Sequence, residues 1–172
     1  MAEGDRERAA SAPTGLSPEV LADIVEDAAR RIHHVLGPGL LEHVYEVVLG
    51  HELMRHRVPV ERQRIFPVRY GRVVIPKGFR ADLVVDGSLL VEVKSATRLV
   101  AVHRQQVVSY CRMAGFSLGL LVNFGGESMD GAMQRVEIAA RSGDGADPAD
   151  PSAFGPLPSL AATALPVVSR DE

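Results

Sequence analysis

The chain has 172 residues, of which 46% are hydrophobic and 24% are charged, and its formal net charge is −3. These values indicate one soluble domain with a modest core. No apolar run approaches the roughly 20 residues that cross a bilayer, and the first thirty residues contain no apolar signal region. A single cysteine excludes an internal disulfide, and no Cys/His cluster has the spacing of zinc ligands. We therefore expect a cytoplasmic protein without a membrane span or a structural metal.

Both ends of the chain have the composition of tails. Residues 1–16 mix small and charged residues without periodicity, and residues 141–172 are rich in Ala, Gly, Pro, Ser and Asp. We expect a disordered N-terminal tail over residues 1–16 and a flexible C-terminal tail over residues 141–172. Between them, residues 17–140 are predicted to form the single folded domain.

Two helices are predicted at the start of this domain. Ser17 as N-cap, Pro18 at the first helical position and Gly37 as a stop delimit the first helix. Its apolar face recurs at helical spacing and consists of Val20, Leu21, Ile24, Val25, Ala28 and Ile32. The second helix is predicted from about Leu40 to His56, with a core face of Leu41, Val44, Val48 and Leu53.

From residue 58 the pattern becomes that of β-strands. Strands are predicted over residues 58–70, 73–75, 81–85 and 89–95, with turns at Gly71, at Pro76-Lys77-Gly78 and around Asp86-Gly87. A helix over residues 100–114 ends at Gly115, and further strands follow over residues 117–124 and 132–138. This order predicts an α/β protein, with helices packed on the faces of a sheet that begins as an antiparallel meander.

The spacing of Asp82, Glu92 and Lys94 is the main chemical feature of the sequence. Glu92 and Lys94 share one face of their predicted strand, because side chains alternate between faces. Asp82, in the preceding strand, joins that face only if paired residue numbers sum to an even value. A three-residue loop over residues 86–88 meets this condition, whereas a two-residue turn does not. A shared catalytic face therefore requires a three-residue loop or a bulge.

Two carboxylates and an ammonium group on one face suit the hydrolysis of phosphodiester bonds. A hard cation such as Mg²⁺ prefers oxygen ligands, which Asp82, Glu92 and the carbonyl group of Val93 could supply. Lys94 would position or deprotonate the attacking water and stabilise the developing negative charge. A surface ion pair on a strand is the alternative. Only two of the 19 basic residues are lysines, which favours a specific role for Lys94.

The helix that follows carries three polar residues on one face, His103, Gln106 and Tyr110. Gln106 could orient the catalytic groups or a phosphate, and Tyr110 could donate a hydrogen bond to a phosphate or support the lysine. The alternative is that Tyr110 belongs to the core and that His103 is a polar residue at its rim. Glu42 and Tyr45 form a similar pair near the start of the second helix.

Positive charge is concentrated in the first strands of the predicted sheet. Residues 55–80 contain eight basic residues against one acidic residue, Glu61, which gives a local charge of +7. This stretch is the one candidate footprint for a polyanion. A solvated strand surface explains the same charges equally well. The eight residues are Arg55, Arg57, Arg62, Arg64, Arg69, Arg72, Lys77 and Arg80.

Several of these segments together resemble a known family. The segment Gly39–Tyr45 resembles the signature of the GxxExxY proteins, a bacterial and archaeal group assigned to the PD-(D/E)XK nuclease superfamily. The resemblance continues through Arg80–Val85, Val91–Ser95, Gln106–Tyr110 and Gly119–Gly125, and it covers roughly residues 18–140. It implies a restriction-endonuclease-like core, which is a mixed β-sheet flanked by helices.

The resemblance also implies roles for individual residues. Asp82, Glu92 and Lys94 correspond to the D…ExK triad of the superfamily, and Glu42 corresponds to an additional metal ligand. Gln106 and Tyr110 correspond to a QxxxY motif like that of recombination-type exonucleases. The superfamily also includes members that have lost catalysis or act on RNA, so the resemblance is compatible with a nuclease and with a catalytically silent module.

Three hypotheses follow from the sequence. The first is a nuclease that depends on Mg²⁺, or alternatively on Mn²⁺, and acts on DNA. The second is a catalytically silent module that binds nucleic acid or a protein on a nuclease fold. The third is a homodimer with residues 118–124 or 157–168 at its interface. Under the first hypothesis, DNA is held nonspecifically by Arg62, Arg64, Arg69, Arg72, Lys77 and Arg80.

Overall fold

A computed structural model describes residues 12–139 of the chain. The predicted C-terminal tail and most of the predicted N-terminal tail lie outside the described residues, as does the candidate interface at residues 157–168. Eight elements follow one another along the described chain. They are α1 (Pro18–Leu36), α2 (Glu42–Arg55), β1 (Val60–Tyr70), β2 (Val73–Val85), β3 (Leu89–Lys94), α3 (Ala101–Ala114), β4 (Leu118–Asn123) and β5 (Met133–Glu137).

The strands form one mixed sheet in the order β1-β2-β3-β4-β5. Strand β3 pairs with β4 in parallel, and the other three pairings are antiparallel. The parallel pair is connected by α3, as a crossover requires. The prediction of a mixed sheet flanked by helices, as in a restriction-endonuclease-like core, is confirmed.

Helices cover both faces of this sheet. On one face, α1 and α2 pack against alternate residues of β3 and β4, including Val91, Val93, Leu120 and Val122. On the other face, α3 packs against the intervening residues, such as Leu90 and Leu121. Because successive side chains point to opposite faces, central strands buried on both sides are apolar almost throughout.

The helix boundaries were largely predictable from the capping residues. The Ser17 hydroxyl accepts a hydrogen bond from the backbone N–H of Val20, Pro18 begins α1, and Gly37 ends it with a positive φ of 67°. Helix α2 begins two residues later than predicted. Leu41 is its N-cap, with an extended backbone and a side chain that is 77% exposed, so its assignment to the core is wrong.

The turn predicted at Pro76-Lys77-Gly78 is also wrong, because β2 runs through these residues without interruption. The register between β1 and β2 shifts between Phe66 and Val68, so the long hairpin contains a β-bulge at this position. Gly78 is needed for close approach of the strands, since a Cβ atom there would lie 2.4 Å from Cγ2 of Val68.

The connection between β2 and β3 is the predicted three-residue loop over residues 86–88. Leu83 pairs with Val91 and Val85 pairs with Leu89, so paired residue numbers sum to an even value, as a shared face for Asp82 and Glu92 requires. The loop contains positive φ angles at Asp86 and Gly87. Thr14, from the segment predicted as a tail, donates backbone and hydroxyl hydrogen bonds to the Asp86 carboxylate. The residues just before α1 therefore contact the body of the domain.

Two further predictions concern surfaces. Strand β4 lies between β3 and β5, and all six of its residues are buried. The part of the homodimer hypothesis that places residues 118–124 at an interface is therefore wrong. Within residues 12–139, no helix combines the length and the apolar character needed to cross a membrane.

Candidate active site

The candidate site lies where β2 and β3 separate. The ladder between them ends at the Leu83–Val91 pair, and the next residue of β2 is Asp82. Its Oδ2 atom accepts a hydrogen bond of 3.0 Å from the backbone N–H of Val93. The Asp82 carboxylate thus accepts a backbone hydrogen bond from β3 at the point where the strands separate. The register set by the three-residue loop places Asp82 opposite Glu92.

Glu92 is the centre of a buried polar cluster. Its Oε1 atom accepts hydrogen bonds from Nζ of Lys94 at 2.7 Å and from Nε2 of Gln106 at 2.6 Å. The residue is only 2% exposed, and its Oε2 atom is buried without a hydrogen-bond partner among the described residues. A buried carboxylate oxygen without a partner is energetically unfavourable, and this is the kind of site that a ligand relieves.

The electrostatics of the cluster follow from its burial. Desolvation raises the pKa of Glu92 to about 7, and the nearby charge of Asp82 acts in the same direction, while Lys94 opposes both. Burial alone would lower the pKa of Lys94, but the hydrogen bond to Glu92 and the charges of Glu92, Glu42 and Asp82 together raise it. The lysine is therefore held as an ammonium group between carboxylates.

Glu42, at the start of α2, lies beside the end of β3. Its Oε1 atom accepts a hydrogen bond of 3.3 Å from the backbone N–H of Ser95, whose hydroxyl donates to the Leu40 carbonyl. The structure therefore packs α2 next to the strand that carries Glu92 and Lys94.

Other predicted residues have different surroundings. Tyr110 stacks on Phe79 with ring centroids 4.3 Å apart and belongs to the apolar cluster under α3. The structure does not bring its hydroxyl into a hydrogen bond with the cluster around Glu92. His103 accepts a hydrogen bond from the backbone N–H of Val100 and so contributes to the start of α3. Tyr45 is buried, and its hydroxyl donates to the Gly37 carbonyl.

Sequence reasoning missed a second polar group beside Asp82. Glu46 is 4% exposed and accepts hydrogen bonds from Nε of Arg62 at 2.9 Å and from Nε2 of Gln63 at 2.7 Å. The same amide nitrogen lies 3.3 Å from Oδ1 of Asp82. Gln63 has a positive φ of 53° and is not paired with β2, although its neighbours Arg62 and Arg64 are. Glu46 could have been noticed one turn after Glu42, but nothing in the sequence marks Gln63.

A pocket of about 710 Å³ opens between the start of α2 and strands β1 and β2. Its polar lining includes Glu42, Glu46, Arg62, Arg80 and Asp82. Asp82 is thus shared between the pocket and the cluster around Glu92. Carboxylate and guanidinium groups both line it, so the pocket carries charges of both signs.

The basic residues predicted to bind nucleic acid fall into three groups. Arg62 is paired with Glu46, and Arg64 is paired with Glu61 at 2.9 Å. Arg80 lies at the pocket and is exposed. The other three predicted cations, Arg69, Arg72 and Lys77, lie on the β1–β2 hairpin, and none of them forms a salt bridge within residues 12–139.

The residues present fit a hard divalent cation. Asp82 and Glu92 supply carboxylate oxygens where β2 and β3 separate, and the unsatisfied Oε2 atom of Glu92 gives a direct structural reason for a cation there. In the described part of the chain, no three Asp, Glu, His or Cys side chains converge as a ready-made metal cage. Backbone carbonyl groups, water and substrate oxygens would have to complete the coordination, which is usual for Mg²⁺.

One of three comparisons with known proteins gives a match. A family model described as the PD-(D/E)XK nuclease superfamily matches residues 19–136, which is more than half of the chain. Searches of curated proteins and of solved structures gave no significant match. The matched range runs from α1 to β5 and contains every residue of the candidate site.

Proposed function

The chain belongs to the PD-(D/E)XK nuclease superfamily, and we propose that it is a Mg²⁺-dependent nuclease that hydrolyses phosphodiester bonds in DNA. The observation that carries the proposal is the buried Glu92 carboxylate, which has Lys94 on one oxygen and no partner on the other. We further propose that the chain is a GxxExxY protein, on the strength of Gly39, Glu42 and Tyr45.

Asp82 and Glu92, with the Val93 carbonyl group, are the proposed ligands of Mg²⁺ or Mn²⁺, and Glu42 is an additional one. Such a cation, when bound, offsets the charge of the phosphate and lowers the pKa of water. Asp82, on β2, contributes a carboxylate whose orientation is already fixed by two hydrogen bonds. Glu92 contributes its free Oε2 atom, because Oε1 is occupied.

Lys94 and Gln106 support Glu92 from two directions. Both donate to the same oxygen, so they fix the rotation of the carboxylate and leave the other oxygen available. The Lys94 ammonium group lies next to the proposed reaction centre, where it can orient the attacking water and stabilise the negative charge that develops on the phosphate. Gln106 is a positioning residue. Tyr110 supports α3 through packing on Phe79 and has no assigned chemical role.

One observation favours the silent binding module as a second candidate. Both oxygens of Asp82 already accept hydrogen bonds from the protein, one from Val93 and one from Gln63. A protein that keeps these bonds would bind nucleic acid through its basic surface without cutting it. Its affinity for DNA would depend on salt and would be indifferent to Mg²⁺.

A cleavage assay separates these two functions. Labelled single-stranded, double-stranded, nicked and branched DNA, and matching RNA, are incubated with Mg²⁺ and with wild type, Glu92→Gln or Glu137→Gln. Glu137 is an exposed glutamate on β5, so its variant controls for the substitution itself. We expect cleavage by wild type and by the control, and a loss of at least about 100-fold in Glu92→Gln.

Cleavage by Glu92→Gln at the wild-type rate would contradict the proposed site. Salt-sensitive DNA binding by the wild type, with no cleavage of any substrate in Mg²⁺ or Mn²⁺, would instead support the silent module.

A further inference from the structure

The β1–β2 hairpin extends well beyond the rest of the sheet. Strand β3 pairs with β2 only at residues 83–85, so no third strand supports the remote half of the hairpin. We call residues 68–78 the hairpin arm. Every residue of the arm except Val68 is exposed, although the strands themselves remain paired to Tyr70 and Val73. The arm is therefore a regular structure without a core of its own.

The root of the arm is rigid. Phe66 and Phe79 stack across the hairpin with centroids 5.1 Å apart, and Phe79 stacks in turn on Tyr110 of α3. Phe116 packs edge-on against Phe66. These four rings fasten the base of the arm to the body, so its direction is set by packing and the bulge next to Phe66.

The surface of the arm combines positive charge with exposed apolar groups. Its charged residues are Arg69, Arg72 and Lys77, and it contains no acidic residue. Tyr70 and Val73, at its tip, are 57% and 58% exposed. Exposed apolar side chains on an isolated hairpin are unfavourable in water, which indicates a surface that becomes covered.

The arm is continuous with the proposed active site. Asp82 and Val73 lie on the same strand, but β2 bulges between them, and the same interval on β1, from Gln63 to Tyr70, is seven residues, or roughly 23 Å at ~3.3 Å per residue. Arg80 and Lys77 lie between Asp82 and Val73 on β2. A turn of duplex DNA is about 34 Å long, so the arm has the reach to follow a duplex for about two thirds of a turn from the proposed cutting point.

We infer that the hairpin arm binds duplex DNA beside the scissile phosphate and makes the protein prefer double-stranded substrates that extend about two thirds of a turn to one side of the cut. This inference rests on the proposed function, because it places the cutting point at Asp82. The arginine and lysine side chains contact phosphates, and Tyr70 and Val73 cover sugar and base edges in the minor groove.

Charge selects this occupant over a second copy of the chain. Two arms brought together would place like charges against each other with no acidic residue to pair them. Pro67, inside β1, also lacks the N–H group that strand pairing at that edge would use. A polyanion meets neither obstacle.

The test measures DNA binding without divalent metal, in EDTA, so that cleavage plays no part. Fluorescence anisotropy gives the Kd for duplexes of 6, 10, 16 and 24 base pairs, for the corresponding single strands, and for a 16-base-pair RNA duplex. The proteins are wild type, Arg69→Ala/Arg72→Ala and the control Arg31→Ala/Arg112→Ala. The control removes the same charge from exposed positions on α1 and α3.

For the wild type, we expect affinity to rise at least tenfold between 6 and 16 base pairs and then to level off. The arm variant should lose at least tenfold on the 16-base-pair duplex and less than threefold on the 6-base-pair duplex. The slope of log Kd against log salt should become shallower by up to about 1.8, because each phosphate contact contributes about 0.9. The control should remain within threefold of wild type.

Equal losses in the arm variant and the control would overturn the inference, as would equal affinity of wild type for single strands and duplexes. A change of oligomeric state in the arm variant by light scattering, with unchanged DNA affinity, would show that the arm covers another copy instead. Tighter binding of the RNA duplex than of DNA would refute the choice of DNA. Circular dichroism confirms that each variant is folded.

These results are separable from the proposed function. Cleavage by a protein whose DNA affinity does not depend on duplex length would contradict the inference about the arm and leave the proposed active site unaffected. Duplex binding through the arm without any cleavage would contradict the proposed function and leave the role of the arm in binding unaffected.

Discussion

Raising the pH from 4.5 to 8 should destabilise the metal-free protein through Glu92. Burial raises the pKa of this carboxyl group from its ordinary value of 4.5 to about 7. The folded state therefore holds the proton more tightly than the unfolded state. Between pH 4.5 and 7 the unfolded chain loses this proton first, so the free energy of unfolding falls as the pH rises.

The size of the effect follows from the difference between these two pKa values. Each pKa unit corresponds to about 1.36 kcal/mol, so the ionised carboxylate lowers the free energy of unfolding by roughly 3 kcal/mol above pH 7. Glu92→Gln keeps an oxygen acceptor for Lys94 and Gln106 but has no proton to lose. Across this pH range, the stability of the variant relative to wild type should rise by that amount.

Urea unfolding followed by circular dichroism measures these free energies, since the chain contains no tryptophan to report by fluorescence. EDTA is present throughout, and Glu137→Gln serves as the exposed control. Adding Mg²⁺ at pH 8 should stabilise the wild type and leave Glu92→Gln unchanged, because a cation favours the ionised carboxylate. Parallel pH profiles for wild type and Glu92→Gln would refute the reasoning.

Three further predictions concern the packing of the domain. Gly119→Ala would put a Cβ atom 2.4 Å from Cγ1 of Val107 and 2.7 Å from Sγ of Cys111, so we expect a loss of about 1–3 kcal/mol in urea unfolding. If Gly119→Ala is as stable as wild type, α3 does not pack as closely as described. Burial raises the pKa of Cys111 to about 12, so a thiol reagent at pH 8 should label the native protein far more slowly than the urea-unfolded protein. Rapid labelling of native protein would show that this part of the core opens. Thr14→Val removes the hydroxyl hydrogen bond to Asp86 and should lower the free energy of unfolding by about 1 kcal/mol, whereas no change would mean that the contact is not stabilising.

The placement of the carboxylates was predictable because strand geometry has a strict period of two residues. A shared face for Asp82 and Glu92 required an even register, and the pairing of Leu83 with Val91 provides it. The capping residues of α1 were equally informative, since Ser17 and Gly37 act locally and do not depend on the rest of the fold.

Other features depend on tertiary context that local sequence does not contain. Pro76-Lys77-Gly78 has the composition of a turn, but β2 continues through it as a bulge, with these three residues opposite Pro67 of β1. The amide of Gln63 reaches Asp82 only because the backbone adopts a positive φ at that position. Tyr110 satisfied the QxxxY spacing, yet stacking on Phe79 decides its surroundings. These outcomes depend on which residues lie across the sheet.

Lys94→Ala tests most directly whether Asp82, Glu92 and Lys94 form a nuclease centre. Single-turnover cleavage of a duplex by Lys94→Ala in Mg²⁺ is compared with wild type and with Arg112→Ala, which changes an exposed cation on α3. We expect a loss of at least about 100-fold in the rate for Lys94→Ala, unchanged DNA affinity, and a wild-type rate for Arg112→Ala. Cleavage by Lys94→Ala at the wild-type rate would contradict the proposed nuclease centre.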